Sequence, residues 1–516
     1  MPRAKGADMK RMKILVSVCT GVMCLALLII GVWAAVIANF GISTKLTFNP
    51  NGVYVELSGQ IYRGASYTEL EPLLDDPSYT LEPCKNYTIE EAVDGSSTST
   101  TYSLSEWTPN ELLFLPSEKM LQFRLSVKNF GEKDICLLLT SNTDYMFTGN
   151  YEGVFKFYEE AGDTLRIESG QTKEYRFAIE VTSDITFNKL PLELNFDIVN
   201  IEDIQTSATY FTVNSSNSSQ IDACSSAYTT GKYGGDVCVI PDQINGVEIT
   251  SIKENSSVGE SAKYIILPRK METIGRNAFS SNSQLKAIAI PDTIRTMDSI
   301  VSGCGLIVTL HIPDGVTSIG DFENCYSLIR LDLPEGLLSI GTFNGCSSLI
   351  TLNIPNSVTS IGHFNDCSSL KSLTIPGGTG LSGSEEKFSR CTALEEVIIL
   401  EGVTEMGEAC FDSCPNLKKV ILPKSIVKID KYAFGGEGCN IDIYFEGAAP
   451  KIFIRLADEY GNIDEGSFAP HTRNYKFYVK SEYLSTFQQG TSSNMEANNA
   501  SVNNWYYYQD KIETYK

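Results

Sequence analysis

The sequence SIGDFENCYSLIRLDLPEG at residues 318–336 recurs with few changes as SIGTFNGCSSLITLNIPNS at residues 339–357 and as SIGHFNDCSSLKSLTIPGG at residues 360–378. The cysteines of this pattern stand 21 residues apart, at Cys304, Cys325, Cys346 and Cys367. One unit of this length cannot bury its apolar residues alone, whereas stacked copies bury a continuous core. The period therefore predicts a solenoid of stacked repeats.

Two further columns of equivalent residues extend the repeat in both directions. Proline ends the predicted strand of most units, at Pro268, Pro291, Pro313, Pro334, Pro355, Pro376 and Pro423, with Leu400 in the same place where the series skips. An aromatic position carries Phe279, Phe322, Phe343, Phe364, Phe388, Phe411 and Phe434, and Val301 fills its gap. These columns predict about eight or nine units over residues 240–446.

The shared pattern, Leu-x-x-Leu-x-Ile-Pro-x-x-Val-x-x-Ile-Gly-x-x-Phe-x-x-Cys, resembles the BspA-like leucine-rich repeats of many bacterial surface proteins. It is carried by Leu349, Leu352, Ile354, Pro355, Val358, Ile361, Gly362, Phe364 and Cys367. The resemblance covers about two fifths of the chain and implies surface adhesion or binding of host and matrix proteins. We predict a leucine-rich repeat solenoid over residues 224–446. Residues 447–516 resemble the ending common in that family and are predicted to form a C-terminal cap.

The N-terminus combines a basic segment with a long uncharged one. Residues 1–13 contain five Lys or Arg side chains, and residues 14–38 contain no charge. A spanning helix needs about 20 apolar residues, whereas the apolar core of a cleaved signal peptide has about 7–15. We therefore predict a basic cytoplasmic tail, a transmembrane helix over residues 14–38 and a C-terminal part outside the cell membrane, because basic flanks stay inside. Secretion after signal cleavage near Ala38 is the alternative.

Residues 45–213 have the alternating pattern of half-buried strands. The runs at residues 121–127 and 175–181 place apolar side chains at every second position. Residues 129–134 supply turn chemistry between two such runs and predict an antiparallel hairpin. Several short strands with polar turns indicate a β-sandwich-like extracellular domain. The Asn- and Ser-rich residues 214–223 are predicted to be a linker, so the whole chain is predicted to be mainly β.

Composition and motifs argue against several classes of function. The formal net charge of −22 disfavours nucleic-acid binding, which requires clustered Lys and Arg. The three histidines are scattered, and no sequence motif of a phosphate loop or a serine hydrolase occurs. The sequence therefore predicts no catalytic residue, no metal site and no cofactor, and a chain that is not an enzyme.

The cysteines fall into two groups. Those on the 21-residue period are predicted to be buried thiols in the solenoid core, because zinc sites need closely convergent pairs. Cys414 lies on this rung, whereas Cys410 does not. The other candidates are disulfide partners, namely Cys224 with Cys238 where the solenoid begins, and Cys84 with Cys136 in the preceding domain. Spacing alone leaves this connectivity open.

The residues that flank the second Leu of each Leu-x-Leu segment are predicted to point outward on a concave face. The candidate partner-binding residues are Thr309, His311, Arg330, Asp332, Thr351, Asn353, Ser372, Thr374, Glu396 and Lys419. The same columns include Ala287, Ala289, Ile398 and Ile421. A strip of small polar side chains suits a protein or glycan surface better than a deep small-molecule pocket. The alternative is a sheet face that stays soluble without binding anything.

These observations favour a membrane-anchored extracellular protein that presents its repeats to a protein or glycan ligand outside the cell. The alternatives are a structural cell-envelope protein that assembles through its sandwich domain and a wall-modifying enzyme whose catalytic part is that domain. The membrane is expected as a partner through the N-terminal helix, and nucleic acid is not. The oligomeric state stays open.

Overall fold

The computed structural model describes residues 41–50, 55–64, 89–93, 102–103, 112–113, 120–140, 155–181, 189–224, 235–256, 258–382, 386–436, 440–453, 468, 475–488, 501–502 and 505–515. These residues are mainly β, as predicted. The chain divides into two compact units. The first comprises Met1–Glu159 with Ile167–Asn200, and the second comprises Glu160–Arg166 with Ile201–Lys516.

The first unit contains two sheets. The strands here are β1 (Gly41–Pro50), β2 (Val55–Gly64), β3 (Ile89–Val93), β4 (Tyr102–Ser103), β5 (Leu112–Leu113), β6 (Met120–Asn129), β7 (Ile135–Leu139), β8 (Phe155–Glu160), β9 (Thr172–Val181) and β10 (Lys189–Asn200). One sheet has the order β4-β1-β10-β7 with β5 also paired to β1, and the other has the order β3-β2-β6-β9-β8. β1 and β10 run parallel over ten residue pairs.

Aromatic side chains link the two sheets of the first unit. Phe123 of β6 stacks on Phe177 of β9 with ring centroids 4.4 Å apart, and Tyr175 meets Phe196 of β10 edge-on at 5.4 Å. All four are buried because they occupy the inward positions of alternating strands. The strands predicted at residues 121–127 and 175–181 are thus present as β6 and β9.

The turn after β6 differs from the predicted hairpin. β6 and β7 belong to different sheets, so the chain crosses between sheets at residues 130–134 instead of folding back on its neighbour. The Asn129 side chain holds this crossing: its amide donates to the carbonyls of Lys133 (2.8 Å) and Ile167 (3.0 Å), and its oxygen accepts from the Gly131 amide (2.9 Å). The same turn-forming residues therefore serve a connection between sheets.

The second unit is a β-solenoid of about nine turns. Its strands are β11 (Phe211–Val213), β12 (Gln220–Cys224), β13 (Val237–Val239), β14 (Gln243–Ile244), β15 (Val247–Glu248), β16 (Ser251–Ile252), β17 (Tyr264–Ile266), β18 (Thr273–Ile274), β19 (Ala287–Ala289), β20 (Thr296–Met297), β21 (Ser318–Ile319), β22 (Ser339–Ile340), β23 (Ser360–Ile361), β24 (Ser372–Ile375), β25 (Glu396–Ile399), β26 (Glu405–Met406), β27 (Lys419–Leu422), β28 (Lys428–Ile429), β29 (Ile441–Phe445), β30 (Lys451–Phe453), β31 (Tyr475–Lys480), β32 (Ser501–Val502) and β33 (Ile512–Tyr515). The helical segments described in the chain are short: Gly162–Leu165, Ile201–Ile204, Ala208–Tyr210, Ser481–Tyr483, Leu484–Phe487 and Tyr506–Lys511.

The solenoid strands form two series. We call β13-β17-β19 and β24-β25-β27-β29-β31-β33 the strip sheets, because they carry the two ends of the outward columns predicted to bind a partner. The middle of these columns, from Thr309 to Asn353, lies outside the named strands. We call β11-β12-β16-β18-β20-β21-β22-β23 and β26-β28-β30-β32 the Ser-Ile sheets, after the residues of their central strands. Neighbouring repeat strands pair in parallel, as expected when each turn of a solenoid returns to the same edge.

The predicted aromatic column is a continuous stack. Successive ring centroids from Phe322 to Phe411 lie 4.9–5.2 Å apart with nearly parallel planes. Phe434 continues the stack at 5.9 Å, and Phe468 follows at 5.8 Å. Val301, which replaces the ring in one unit, is also fully buried. The stack confirms the repeat register assigned from the sequence.

The glycine of each Ile-Gly pair is required by close backbone approach. A Cβ atom on Gly341 would lie 2.4 Å from the carbonyl carbon of Gly320, and one on Gly362 would lie 2.5 Å from that of Gly341. Real Cβ atoms are not found at such distances from backbone atoms. The glycine column therefore sets how closely consecutive turns can stack.

The predicted boundaries of the solenoid differ from the structure at both ends. β11 and β12 form an antiparallel hairpin, and β12 pairs with β16, so residues 214–223 form part of the first Ser-Ile sheet instead of a linker. The Asn214 side chain accepts from the amides of Ser216 and Asn217 and closes the hairpin turn. At the other end, β31 and β33 extend the strip sheets into the predicted cap.

The predicted cap residues cover the end of the core. Trp505 is fully buried, meets the ring of Phe445 edge-on at 5.4 Å and donates its indole N–H to the carbonyl of Pro450 (3.1 Å). The predicted transmembrane helix over residues 14–38 lies outside the described residues. Within the described ranges, no helix is long and apolar enough to cross a membrane.

Candidate functional site

The outward columns of the strip sheets, together with the same columns in the repeats between the two sheets, form the surface that we call the strip. All ten predicted partner-binding residues have exposed or half-buried side chains, in contrast to the buried positions between them. Backbone register aligns His311 with Asp332, Ser372 with Glu396, and Glu396 with Lys419. The structure thus gathers these residues into continuous rows on one surface of the solenoid.

The first part of the strip is covered by another segment of the same unit. The helical turn Gly162–Leu165 packs on β19, where Ala287 and Ala289 are only 2% and 9% exposed. Leu165 is fully buried, and Arg166 donates to the carbonyl of Leu267 at 3.0 Å. The small alanine side chains make room for this segment. The strip is therefore not open along its whole length.

Arg330 lies at the border of the covered part. Its side chain is only 15% exposed, and its guanidinium lies 3.9 Å from the carboxylates of both Glu160 and Asp332. We predicted that the Arg330 side chain points outward and is available to a partner. In the structure it instead lies beside two carboxylates of the same chain. The segment responsible is about 170 residues away in sequence, so no local pattern indicated it.

His311 is also engaged. Its Nε2 atom lies 3.2 Å from Asp292 Oδ1, and its side chain is about half exposed. A single exposed contact of this kind holds the ring without burying it. His311 therefore remains on the surface, as predicted.

Beyond Arg330 the strip carries a row of alternating charges. Register aligns Glu396, Lys419, Asp442 and Lys476 on four successive strands. Lys419 donates to Glu396 at 2.6 Å, and this hydrogen bond raises the pKa of Lys419. The two carboxylates and two ammonium groups present both signs of charge to a partner.

A second row beside the charges is apolar and aromatic. Register aligns Thr374, Ile398, Ile421, Tyr444 and Tyr478 on successive strands. The rings of Tyr444 and Tyr478 are stacked at 4.5 Å with planes 11° apart, and both side chains are half-buried. The ring of Tyr515 meets Tyr444 edge-on at 5.6 Å, so three tyrosines lie together at this end of the strip.

Sequence reasoning missed Asp442, Tyr444, Lys476 and Tyr478 as strip residues. The two columns ended at Lys419 and Ile421, since residues 447–516 were assigned to a cap. A signal was present: IDIYF at 441–445 and YKFYVK at 475–480 alternate inward apolar residues with outward polar or aromatic ones. Continuing the strand pattern past residue 446 finds the aromatic end of the strip.

The periodic cysteines are buried thiols, as predicted, and each satisfies a carbonyl of an earlier repeat. We call Cys304, Cys325, Cys346, Cys367, Cys391 and Cys414 the cysteine ladder. Their Sγ atoms donate to the carbonyls of Phe279, Val301, Phe322, Phe343, Phe364 and Phe388 at 3.1–3.3 Å. Burial raises the pKa of Cys304 and Cys367 to about 12, so these thiols are poor nucleophiles.

The structure describes three of the four cysteines that we predicted as disulfide partners. The side chains of Cys224 and Cys238 are hydrogen-bonded to each other. Cys136 is buried in β7, and Cys84 lies outside the described residues. Both disulfides therefore stay predictions. Among the residues that the structure describes, no group of three or more His, Cys, Asp or Glu side chains is placed to hold a metal ion.

Comparisons with known proteins concern the repeats. Residues 250–363 and 321–442 match the model of the BspA type leucine-rich repeat region, in six copies. No curated protein matches the chain. The chain is similar to the solved leucine-rich repeat protein of T. pallidum, with 25% identity over 41% of this chain and 90% of that one, at a TM-score of 0.28.

Two further solved structures are similar to this chain. A leucine-rich cell surface protein of Faecalibacterium prausnitzii is 19% identical over 57% of this chain and 96% of its own length, at a TM-score of 0.27. The pneumococcal vaccine antigen PcpA is 16% identical over 52% of this chain and 80% of its own length, at a TM-score of 0.25.

Proposed function

Because residues 250–442 belong to the BspA-type leucine-rich repeat family, we propose that this chain is a binding protein that holds a protein partner on the open end of its strip. We define the open end as the charge row Glu396, Lys419, Asp442 and Lys476 with the apolar row Ile398, Ile421, Tyr444 and Tyr478. Repeat solenoids bind partners along such extended surfaces. The role is recognition, with no chemical step.

The stacked tyrosines support a protein partner most directly. Tyrosine is enriched where protein interfaces concentrate their binding energy, since it combines a large apolar area with a hydroxyl group. Sugars are bound over a free ring face, but Tyr444 is stacked on Tyr478 at 4.5 Å, and Lys419 Nζ lies over the Tyr444 ring, 6.0 Å from its centroid. The neighbouring Ile398 and Ile421 add apolar area that suits a protein better than a glycan.

The charge row supports specificity. Glu396 and Lys419 are paired at 2.6 Å across adjacent strands, and Lys476 pairs with Glu513 at 3.5 Å. Exposed pairs of this kind contribute little stability, because solvent screens the attraction between the charges. A partner with charges of its own can therefore replace these ion pairs. Complementary charges on the two proteins then favour one orientation of the complex.

Binding is tested with residues 41–516, since a shorter fragment that omits residues 160–166 would uncover Ala287 and Ala289. The protein is passed over an array of matrix proteins, mucins, glycans and cell-wall fragments. We expect saturable binding to a protein. Loss of a central contact should weaken the complex by about 10-fold or more.

The repeat that contains Ile421 supplies a matched control. Ile421→Ser changes the strip, whereas Val427→Ser changes an apolar side chain of the same repeat that is 55% exposed beside β28 of the Ser-Ile sheets. We expect Ile421→Ser and Tyr444→Ala to weaken binding and Val427→Ser to leave it unchanged. Equal loss in all three variants, or binding to glycans alone, contradicts the proposal.

The structural alternative makes a different prediction in the same experiment. A cell-envelope protein that assembles with copies of itself would bind no member of the array and would form larger species as its concentration rises. Sedimentation of residues 41–516 over a range of concentrations distinguishes the two functions. Self-association insensitive to Tyr444→Ala would replace the binding function by assembly.

The cellular location is proposed from the N-terminal sequence. We place the chain in the cell membrane through residues 14–38, with its repeats outside, because this stretch is long enough to span and its basic flank precedes it. In cells that express the full chain, added protease should digest the repeats, and carbonate washing should leave the chain in the membrane. Release of a chain that begins near Asn39 would show cleavage instead.

A further inference from the structure

Strands near the start of the two sheet series bring two thiols together. Cys224 is the last residue of β12, and Cys238 is the central residue of β13. β12 pairs with β16 in a Ser-Ile sheet, whereas β13 pairs with β17 in a strip sheet. The Cys238 thiol donates a hydrogen bond to the sulfur of Cys224. This contact joins the beginnings of the two series.

The two thiols differ in exposure. Cys238 is fully buried, whereas Cys224 is half-buried and therefore reachable from solvent. The backbone of Gly259 is also hydrogen-bonded to the Cys224 sulfur. Gly259 has a φ of +69°, and a Cβ atom there would lie 2.9 Å from Cδ1 of Ile265. Glycine thus allows the backbone to approach the thiol pair.

The hydrogen bond polarises the pair. Donation from Cys238 lowers the pKa of Cys224, and the Gly259 backbone acts in the same direction against partial burial. The same bond, together with burial, raises the pKa of Cys238. The lowered pKa favours the thiolate form, which attacks disulfides, on Cys224, the more exposed of the two sulfurs.

The cysteine ladder has a different geometry. Its thiols are all 0% exposed, and each donates to a backbone carbonyl. Cys410, which is not on the ladder, is fully buried as well, and burial raises its pKa to about 12. The combination of exposure and a neighbouring thiol thus distinguishes Cys224 from these buried cysteines.

We propose that Cys224 and Cys238 form a thiol–disulfide exchange site for low-molecular-weight disulfides, with Cys224 as the attacking residue and Cys238 as the resolving residue. The Cys224 thiolate attacks one sulfur of the donor R–S–S–R, the donor bond breaks, and one R–S⁻ leaves. Cys238 then gives its proton to the departing R–S⁻ and attacks the Cys224 sulfur, which forms the Cys224–Cys238 bond and releases the second R–S⁻. Two protein thiols are oxidised, and one donor disulfide is reduced to two thiols.

The bond would join two residues that are 14 positions apart in the sequence and link β12 of one sheet series to β13 of the other. A cross-link of this kind constrains the unfolded chain and stabilises the fold. The oxidised protein should therefore unfold at a temperature several degrees higher than the reduced protein. This stabilisation is independent of the binding proposed for the strip.

The test uses the full chain in detergent with oxidised glutathione. Brief alkylation of the reduced native protein should modify Cys224 before Cys238 or any ladder cysteine. After glutathione treatment, mass spectrometry of non-reduced peptides should find Cys224 joined to Cys238. The wild-type measurements alone contradict the proposal if both thiols stay free in folded protein, or if Cys224 is alkylated no faster than the ladder.

Variants separate the two roles. Cys238→Ser should stop the reaction at a glutathione adduct on Cys224, whereas Cys224→Ser should prevent any adduct on Cys238. Cys410→Ala is the control, since a buried thiol outside the pair should leave the cross-link unchanged. A cross-link between Cys224 and a different cysteine would overturn the assignment of Cys238.

Discussion

The buried columns and the strip belong to the same repeats but follow different rules. Inside, Phe343 stacks between two identical rings, and Gly341 touches the glycine of the preceding repeat. Outside, equivalent strip positions hold side chains as different as those of Ala289, Asp332 and Tyr444. A buried residue must fit a copy of itself on both sides, whereas an outward residue needs only to keep the strand alternation. The residues that determine the fold therefore recur in each repeat, whereas each residue of the binding surface occurs in one repeat only.

The largest effect should come from breaking the aromatic stack. Phe343→Ala removes a fully buried ring that lies 4.9 and 5.1 Å from its neighbours, and it should lower the free energy of unfolding by about 3–5 kcal/mol. Tyr326→Ala, which removes a ring that is 54% exposed, should change it by less than about 0.5 kcal/mol. Chemical denaturation measures both. Similar losses would show that the stack does not carry the core.

The glycine column should give the next effect. Gly341→Ala places a methyl group 2.4 Å from the backbone of Gly320, so the turns must separate, at a cost of about 1–3 kcal/mol. Gly380→Ala adds the same methyl group where no heavy atom lies within 4 Å. It should be neutral or slightly stabilising. A destabilised Gly380→Ala protein with an unaffected Gly341→Ala protein would contradict the close approach.

The cysteine ladder should contribute less per residue. Cys346→Ala removes a donor to the Phe322 carbonyl, which also accepts from the Cys325 amide, so the carbonyl keeps one partner. The expected loss is about 1–2 kcal/mol from the hydrogen bond and the vacated volume. Cys346→Ser keeps a donor and separates the two contributions. Identical unfolding of wild type and both variants would show that neither the hydrogen bond nor the volume of this thiol stabilises the fold.

The smallest effect concerns a half-buried contact at the far end of the strip sheets. Hydrogen bonds from Lys480 and Tyr515 lower the pKa of Glu446, the latter at 2.7 Å. Because the pKa of Glu446 is lowered in the folded protein, its carboxylate stabilises the fold at pH values above its unfolded pKa, which is near 4.3. This stabilisation is lost as the pH falls through the folded pKa. Solvent screening limits Tyr515→Phe to less than about 1 kcal/mol at pH 7.

Unfolding at pH 7 and pH 3 checks this contact. Tyr515→Phe should lose less stability between the two pH values than wild type, because less carboxylate stabilisation is present to lose. Tyr478→Phe removes a hydroxyl from the neighbouring strand and is the control. The same pH dependence in all three proteins would exclude a role for the Tyr515 hydroxyl.

The sequence predicted correctly those residues that recur in each repeat, and it failed for contacts that occur once. The columns of Phe364 and Cys367 recur in every regular unit, so local sequence placed both in the core correctly. Residues 214–223 were predicted as a linker because Asn and Ser are common in linkers, yet the same residues close the β11–β12 hairpin. The cover over Ala287 depends on a distant segment, and no repeat pattern encodes a contact that occurs once.

The contacts between repeats also bear on how such a gene can change. Excision of residues 339–359 would remove one unit and rejoin equivalent positions, so that Phe322 would meet Phe364 and Gly320 would meet Gly362. Every remaining ring, thiol and glycine would again face a counterpart of its own kind. Unequal recombination between copies can thus shorten or lengthen the protein by whole units. The length of the strip would change, whereas the contacts between neighbouring repeats in the core would stay the same.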